Sequence, residues 1–141
     1  MKPFEYFPHT ADLKFRAYGE TIEETFIHAA QALVNHMTSV EKVHPVIEKR
    51  VVLRAHTLES LLYDFLEEVL FILDVDNGFV SGGKEIRIKK QGDYWALECT
   101  FTFDYCKNYD HHGDVKAMTY NEMEIKHVAD GTWMAQVVVD I

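Results

Sequence analysis

Hydrophobic and polar residues alternate strictly over residues 12–18, with Leu13, Phe15 and Ala17 on one side and Asp12, Lys14, Arg16 and Tyr18 on the other. That period of two predicts a half-buried strand. The period then lengthens. In "ETIEETFIHAAQALVNHM", Ile22, Phe26, Ala29, Ala30, Leu33 and Met37 recur at helical intervals, and Thr21 with Glu24 has capping-box spacing. A short strand, "RVVLRA", separates this helix from a second one. "TLESLLYDFLEEVLFIL" has Thr57 as its cap and a stripe of Leu58, Leu61, Leu62, Phe65, Leu66, Val69 and Leu73, wide enough for a central helix. Asp76, Asn77 and Gly78 predict the turn that ends it, since Asn and Gly tolerate positive φ.

Beyond Gly78 the pattern is β. "FVSGGKEIRIKK" and "YWALECTFTFDY" flank a "QGD" hairpin turn at Gly92, and in the second strand Trp95, Leu97, Cys99, Phe101, Phe103 and Tyr105 share one side. A polar loop, "CKNYDHHGD", leads into "VKAMTYNEMEIKHV", read as a strand, then a turn at "ADG" and a last strand, "TWMAQVVVDI". This order predicts an α+β, two-layer domain: a mostly antiparallel or mixed β-sheet carrying two α-helices on one face, ending in an antiparallel meander. "GETIEETF" and "AHTLESLL" each follow a strand and share Thr, an aliphatic residue and Glu, which hints at an internal strand-helix duplication.

Composition adds bounds. The chain of 141 residues, with 48% hydrophobic and 26% charged residues and 3 prolines, is the length of a single domain spanning 1–141 and has no linker-like stretch. No segment approaches a membrane span and the start lacks a signal peptide's apolar run, so a cytoplasmic location is expected, with no membrane partner. Cys99 and Cys106 are too few for a disulfide scaffold and are expected to be reduced. With 23 acidic and 14 basic side chains the net charge is −9, which opposes DNA or naked RNA as the principal ligand; only "RIKK", residues 87–90, forms a basic cluster, read as a solvated hairpin face.

No nucleotide-binding glycine motif, serine-hydrolase elbow, CxxC pair or HExxH helix occurs. Three polar clusters remain. His9, Thr10 and Asp12 open the first alternating strand, where turn chemistry alone would also suit them. At the other end, Val137 and Val139 put Asp140 on the opposite side of its strand, next to Ile141, whose main-chain carboxylate would crowd a second anion beside it. Solvent exposure, protonation, a basic partner or a hard cation such as Ca²⁺ or Mg²⁺ would each relieve that crowding. The third cluster, Asp110, His111, His112 and Asp114, reads as an exposed loop rather than a transition-metal site, because sequence adjacency does not make ligands converge.

Four stretches together, "HTADLKFRAYGETIEETFIHAAQAL", "TLESLLYDFLEEVLFILD", "DVKAMTYNEMEI" and "DGTWMAQVVVDI", resemble the archease family over essentially the whole chain. Archease is the protein cofactor of the RtcB-type RNA ligase. One departure is Asn121, where the family often carries histidine after the Thr-Tyr pair. The resemblance implies a helper that is not itself an enzyme and has no catalytic residue, which promotes guanylylation of the ligase with GTP and its multiple turnover in tRNA splicing. It implies a divalent cation, Ca or Mg, held by Asp12, Asp140 and Ile141, with His9 beside the site and Lys116 as a contact to the ligase or its phosphate-bearing intermediate. The tRNA would be met only indirectly, through the ligase. The rival readings are a generic interaction or chaperone-like module and a small metal-dependent hydrolase using His9 or His112 as base.

Overall fold

The computed structural model describes residues 2–128 and 130–141. Ten elements follow in order: β1 (Phe4–Phe7), β2 (Asp12–Gly19), α1 (Ile22–Asn35), β3 (Ile47–Ala55), α2 (Leu58–Asp76), β4 (Gly78–Gln91), β5 (Tyr94–Tyr105), β6 (Ala117–Met118), β7 (Glu124–His127) and β8 (Trp133–Asp140). The fold is α+β, and every strand pair is antiparallel.

The strands divide into two sheets. One runs β1-β2-β8-β6, with β7 also paired to β8; the other runs β3-β5-β4. The expected meander is therefore broken after β5, because β6, β7 and β8 pair among themselves and, through β8, with β2 instead of continuing the sheet of β4 and β5. Helices α1 and α2 lie against strands of both sheets, so the two sheets share one helical layer. Into it the alternating strands deliver Phe15, Ala17, Val137 and Val139 from one sheet and Val51, Leu97, Cys99 and Phe101 from the other, all buried. Phe65 of α2 stands between Phe26 of α1 and Phe101 of β5, at centroid distances of 5.5 and 4.8 Å.

Both helices start where the caps predict. Thr21 Oγ1 accepts from the Glu24 N–H at 3.1 Å, and Thr57 Oγ1 accepts from the Ser60 N–H at 3.0 Å, each satisfying a free donor of the first turn. These shared caps account for the Thr-aliphatic-Glu similarity, and since β2 and β3 belong to different sheets, a duplication is not confirmed. Asn77 ends α2 in the left-handed region at φ 52°, and Gly92 takes φ 64° at the first position of its two-residue hairpin loop.

Three elements differ from the sequence expectation. β1 was not anticipated; it pairs Phe4 through Phe7 with β2, and the side chain of Tyr6 donates to the Ala32 carbonyl at 2.7 Å. "VKAMTYNEMEIKHV" is two short strands with Lys116 just outside the first, because Thr119 breaks the run: its hydroxyl donates to the Val138 carbonyl at 2.6 Å and accepts from the Asn121 N–H at 3.1 Å. Glu122 then takes φ 52°. β4 stays one strand but shifts register twice, between Val80 and Gly82 and between Lys84 and Arg87. In the expected "ADG" turn, Ala129 lies outside the described residues, while Gly131 takes φ 86° and the Val128 N–H donates to the Thr132 carbonyl at 2.7 Å. No described helix is long and apolar enough to cross a membrane.

Candidate functional site

Strand β2 begins at Asp12 and strand β8 ends at Asp140, and the antiparallel register pairs these two residues directly. Each is on the side of its strand away from Phe15 and Val137, so both carboxylates rise from the same outer face. Directly opposed residues have Cβ atoms about 5 Å apart, a separation at which like charges destabilise the pair. Asp140 gains a second cross-strand neighbour from β6: its register partner is Ala117, and its main-chain carbonyl accepts from the Lys116 N–H at 2.8 Å.

His9 and Glu122 extend the cluster. The His9 ring bridges two carboxylates, with Nε2 2.9 Å from Glu122 Oε2 and Nδ1 3.3 Å from Asp12 Oδ2. Glu122 also accepts from Lys14 Nζ at 3.0 Å, and its main-chain carbonyl accepts from Gln136 Nε2 at 2.8 Å. The turn carrying Glu122 is thus tied to β2 and β8, across the outer face where Gln136 and Val138 are buried. The Lys14 ammonium, then the His9 ring, hold the Glu122 carboxyl below the usual glutamate range.

Lys14 and His9 are committed to Glu122, whereas Asp140 has no ion-pair partner among the described residues. His9 Nδ1 is buried and makes no hydrogen bond, even though Asp12 is near. An anionic pair of which Asp140 lacks a basic partner among the described residues, beside an unsatisfied ring nitrogen, is a donor set that suits a hard cation. No group of three or more His, Cys, Asp or Glu side chains able to hold a metal occurs among the described residues, so a cation at Asp12 and Asp140 would draw its other oxygens from main chain or water.

The structure brings Asp12, His9 and Asp140 together and sets Ile141, 38% exposed, immediately beyond them. Lys116 touches the site only through its backbone. Lys116 also borders a cleft of about 360 Å³ with Glu67, Glu68, Phe71 and Asp74 of α2. Glu122 was not visible as a site residue in the sequence, since nothing in "TYNEME" distinguishes it from a solvent-facing loop carboxylate. The histidines of the polar loop go separate ways: His111 Nε2 sits 3.1 Å from Asp114 Oδ1, and the His112 N–H donates to the Met37 carbonyl at 2.9 Å.

The model of the archease protein family matches residues 4–141 of this chain. The chain belongs to the archease family. "Protein archease" of Pyrococcus furiosus is 40% identical over 100% of both chains, and that of Methanosarcina mazei is 39% identical over 99% of this chain and 97% of its own. In three dimensions the solution structure of Methanobacterium thermoautotrophicum protein 1598 superposes with a TM-score of 0.84 at 37% identity, covering 100% of each chain. The crystal structure of an archease, possible chaperone, from Thermotoga maritima has a TM-score of 0.58 at 18% identity over 96% of this chain and 94% of that one, a likeness of fold alone.

Proposed function

We propose that this archease-family protein is a non-catalytic cofactor of an RtcB-type RNA ligase in tRNA splicing, promoting guanylylation with GTP and repeated turnover. The observation that carries this reading is the direct pairing of Asp12 with Asp140, which assembles an anionic patch at one end of the sheet from both extremities of the chain. Asp12, Asp140 and a carboxylate at Ile141 hold a divalent cation, Ca²⁺ or Mg²⁺, whose charge offsets their repulsion. His9 and Glu122 stand beside them, fixing the turn that borders the site. The ligase brings the tRNA; the protein acts in the cytoplasm.

In this reading Asp12 and Asp140 bind the cation, and Glu122 holds His9 and Lys14 against the start of β2 so that the Asp12 carboxylate keeps its direction. Lys116, at the edge of the α2 cleft, contacts the ligase rather than the cation. The docked acidic end either delivers the ion or holds the ligase in a conformation that accepts the nucleotide.

The test is a ligation assay at limiting ligase, so that product requires more than one turnover. Added protein is expected to raise the yield severalfold, and Asp12→Ala to abolish the gain in step with lost cation binding if the ion is delivered. Stimulation by a chelated, folded protein would instead favour conformational assistance. An unchanged yield with the parent protein would overturn the proposal.

A further inference from the structure

The second register shift of β4 has an electrostatic outcome. It aligns Arg87 with Glu98 and Lys89 with Ala96 on the outer face of the three-stranded sheet, where β3 displays Arg50, Val52 and Arg54. Four exposed cations therefore surround one carboxylate, Glu98, on this face, while Glu48 farther along β3 is taken up by Lys84 at 2.7 Å. Glu98 engages Arg50 at 2.9 Å and more loosely Arg87 at 3.7 Å. Arg54 and Lys89 have no ion-pair partner among the described residues; the Arg54 guanidinium lies over the Tyr94 ring, 5.0 Å from its centroid. Between them runs an open cleft of about 260 Å³ floored by Val52 and Ala96. Val52 is 68% exposed, an apolar side chain that neither sheet nor helix covers.

We propose that this face binds single-stranded RNA, with phosphates on Arg54, Arg87 and Lys89 and a sugar or base against Val52 and Tyr94. The net charge of −9 does not forbid it: the Debye length is about 8 Å at physiological salt, so carboxylates on other faces are screened and the local excess of cations governs the contact. Along a strand, residues two apart are separated by about 6.8 Å, which lets Arg87 and Lys89 engage successive phosphates of an extended strand. An acidic polypeptide is the other polyanion with matching charge. Guanidinium forks, an aromatic ring beside them and an apolar floor favour a chain that alternates phosphate with flat bases. This inference goes beyond the cation site and does not depend on the ligase.

The experiment is fluorescence anisotropy of a labelled 12-nucleotide single-stranded RNA with the full chain alone, repeated with labelled poly-glutamate. Two or three neutralised phosphates predict weak binding that falls about tenfold between 50 and 200 mM salt. Arg54→Ala/Lys89→Ala is expected to abolish that binding while keeping the parent's melting temperature. Lys42→Ala/Lys107→Ala, which removes the same charge from another face, is expected to leave it intact. RNA binding lost equally in both double variants, poly-glutamate binding in preference to RNA, or no salt-sensitive RNA binding at all would each overturn the proposal. None of these results bears on ligase stimulation, so either idea fails without the other.

Discussion

Asp12 and Asp140, from opposite ends of the chain, face each other as a directly paired couple on adjacent antiparallel strands; His9 stands beside Asp12, and Asp140 has no ion-pair partner among the described residues. The pairing is forced: β8 is the central strand of its sheet, and its burial fixes the register, because a slip of one residue would turn Val137 and Val139 out of the core. The carboxylates meet as a consequence of apolar packing. Their repulsion is a cost the fold carries.

Removing one charge of the couple should therefore have opposite effects with and without cation. In EDTA, Asp140→Asn is expected to raise the melting temperature slightly, corresponding to about 0.2–1 kcal/mol for relieving directly opposed like charges. In Ca²⁺ at a hundred times the dissociation constant the parent should gain about 2.7 kcal/mol and the variant nearly nothing. Thermal melts of both proteins in the two buffers check this, and a parent that is indifferent to Ca²⁺ and Mg²⁺ would count against the cation site.

Glu122→Gln should loosen the turn over the outer face. Because Lys14 and His9 lower the folded-state value of Glu122, its contribution is complete above the ordinary glutamate range and fades as the pH falls through the lowered value. The group is exposed, so the loss at neutral pH is expected to be only about 1–3 °C in melting temperature, vanishing in acid. Melting curves of parent and variant across pH 3 to pH 8, a range of roughly that span, test the sign.

Phe65→Ala should be among the most damaging substitutions in the chain. The ring is fully buried between Phe26 and Phe101, where both helices and the three-stranded sheet meet. A loss of about 3–5 kcal/mol in denaturant unfolding is expected. A loss below about 1 kcal/mol would mean that the helical layer is not the shared core of the two sheets.

Cys99 should be inert in the native protein. Burial against the helical layer pushes its thiol up to about 11, and burial also raises Cys106, so little thiolate exists at neutral pH. Alkylation of Cys99 by iodoacetamide is expected to be at least about a hundredfold slower than in denaturant, read by peptide mass spectrometry.

Much of this molecule was legible from periodicity. The alternation of residues 12–18, the caps at Thr21 and Thr57, the stripe from Leu58 to Leu73 and the turns at Asn77 and Gly92 all lie where local pattern put them, because each reflects interactions within a few residues. β1 escaped notice because four residues, FEYF between Pro3 and Pro8, leave too little alternation to register. The break at Thr119 escaped it because a hydroxyl reaching the Val138 carbonyl is a contact across the sheet, which no local window contains.

The amino-acid sequence by itself determined both helices with their caps, the long strands, the buried face of each and the family, since these rest on side-chain period and motif order. Only the tertiary structure decided that the strands divide between two sheets, that Asp12 lies opposite Asp140, that Glu122 joins His9 and Lys14, and that Arg54, Arg87 and Lys89 share a face. Such relations depend on which strands pair and in what register. That choice is made by burying the whole apolar surface at once, and no single segment of the chain encodes it.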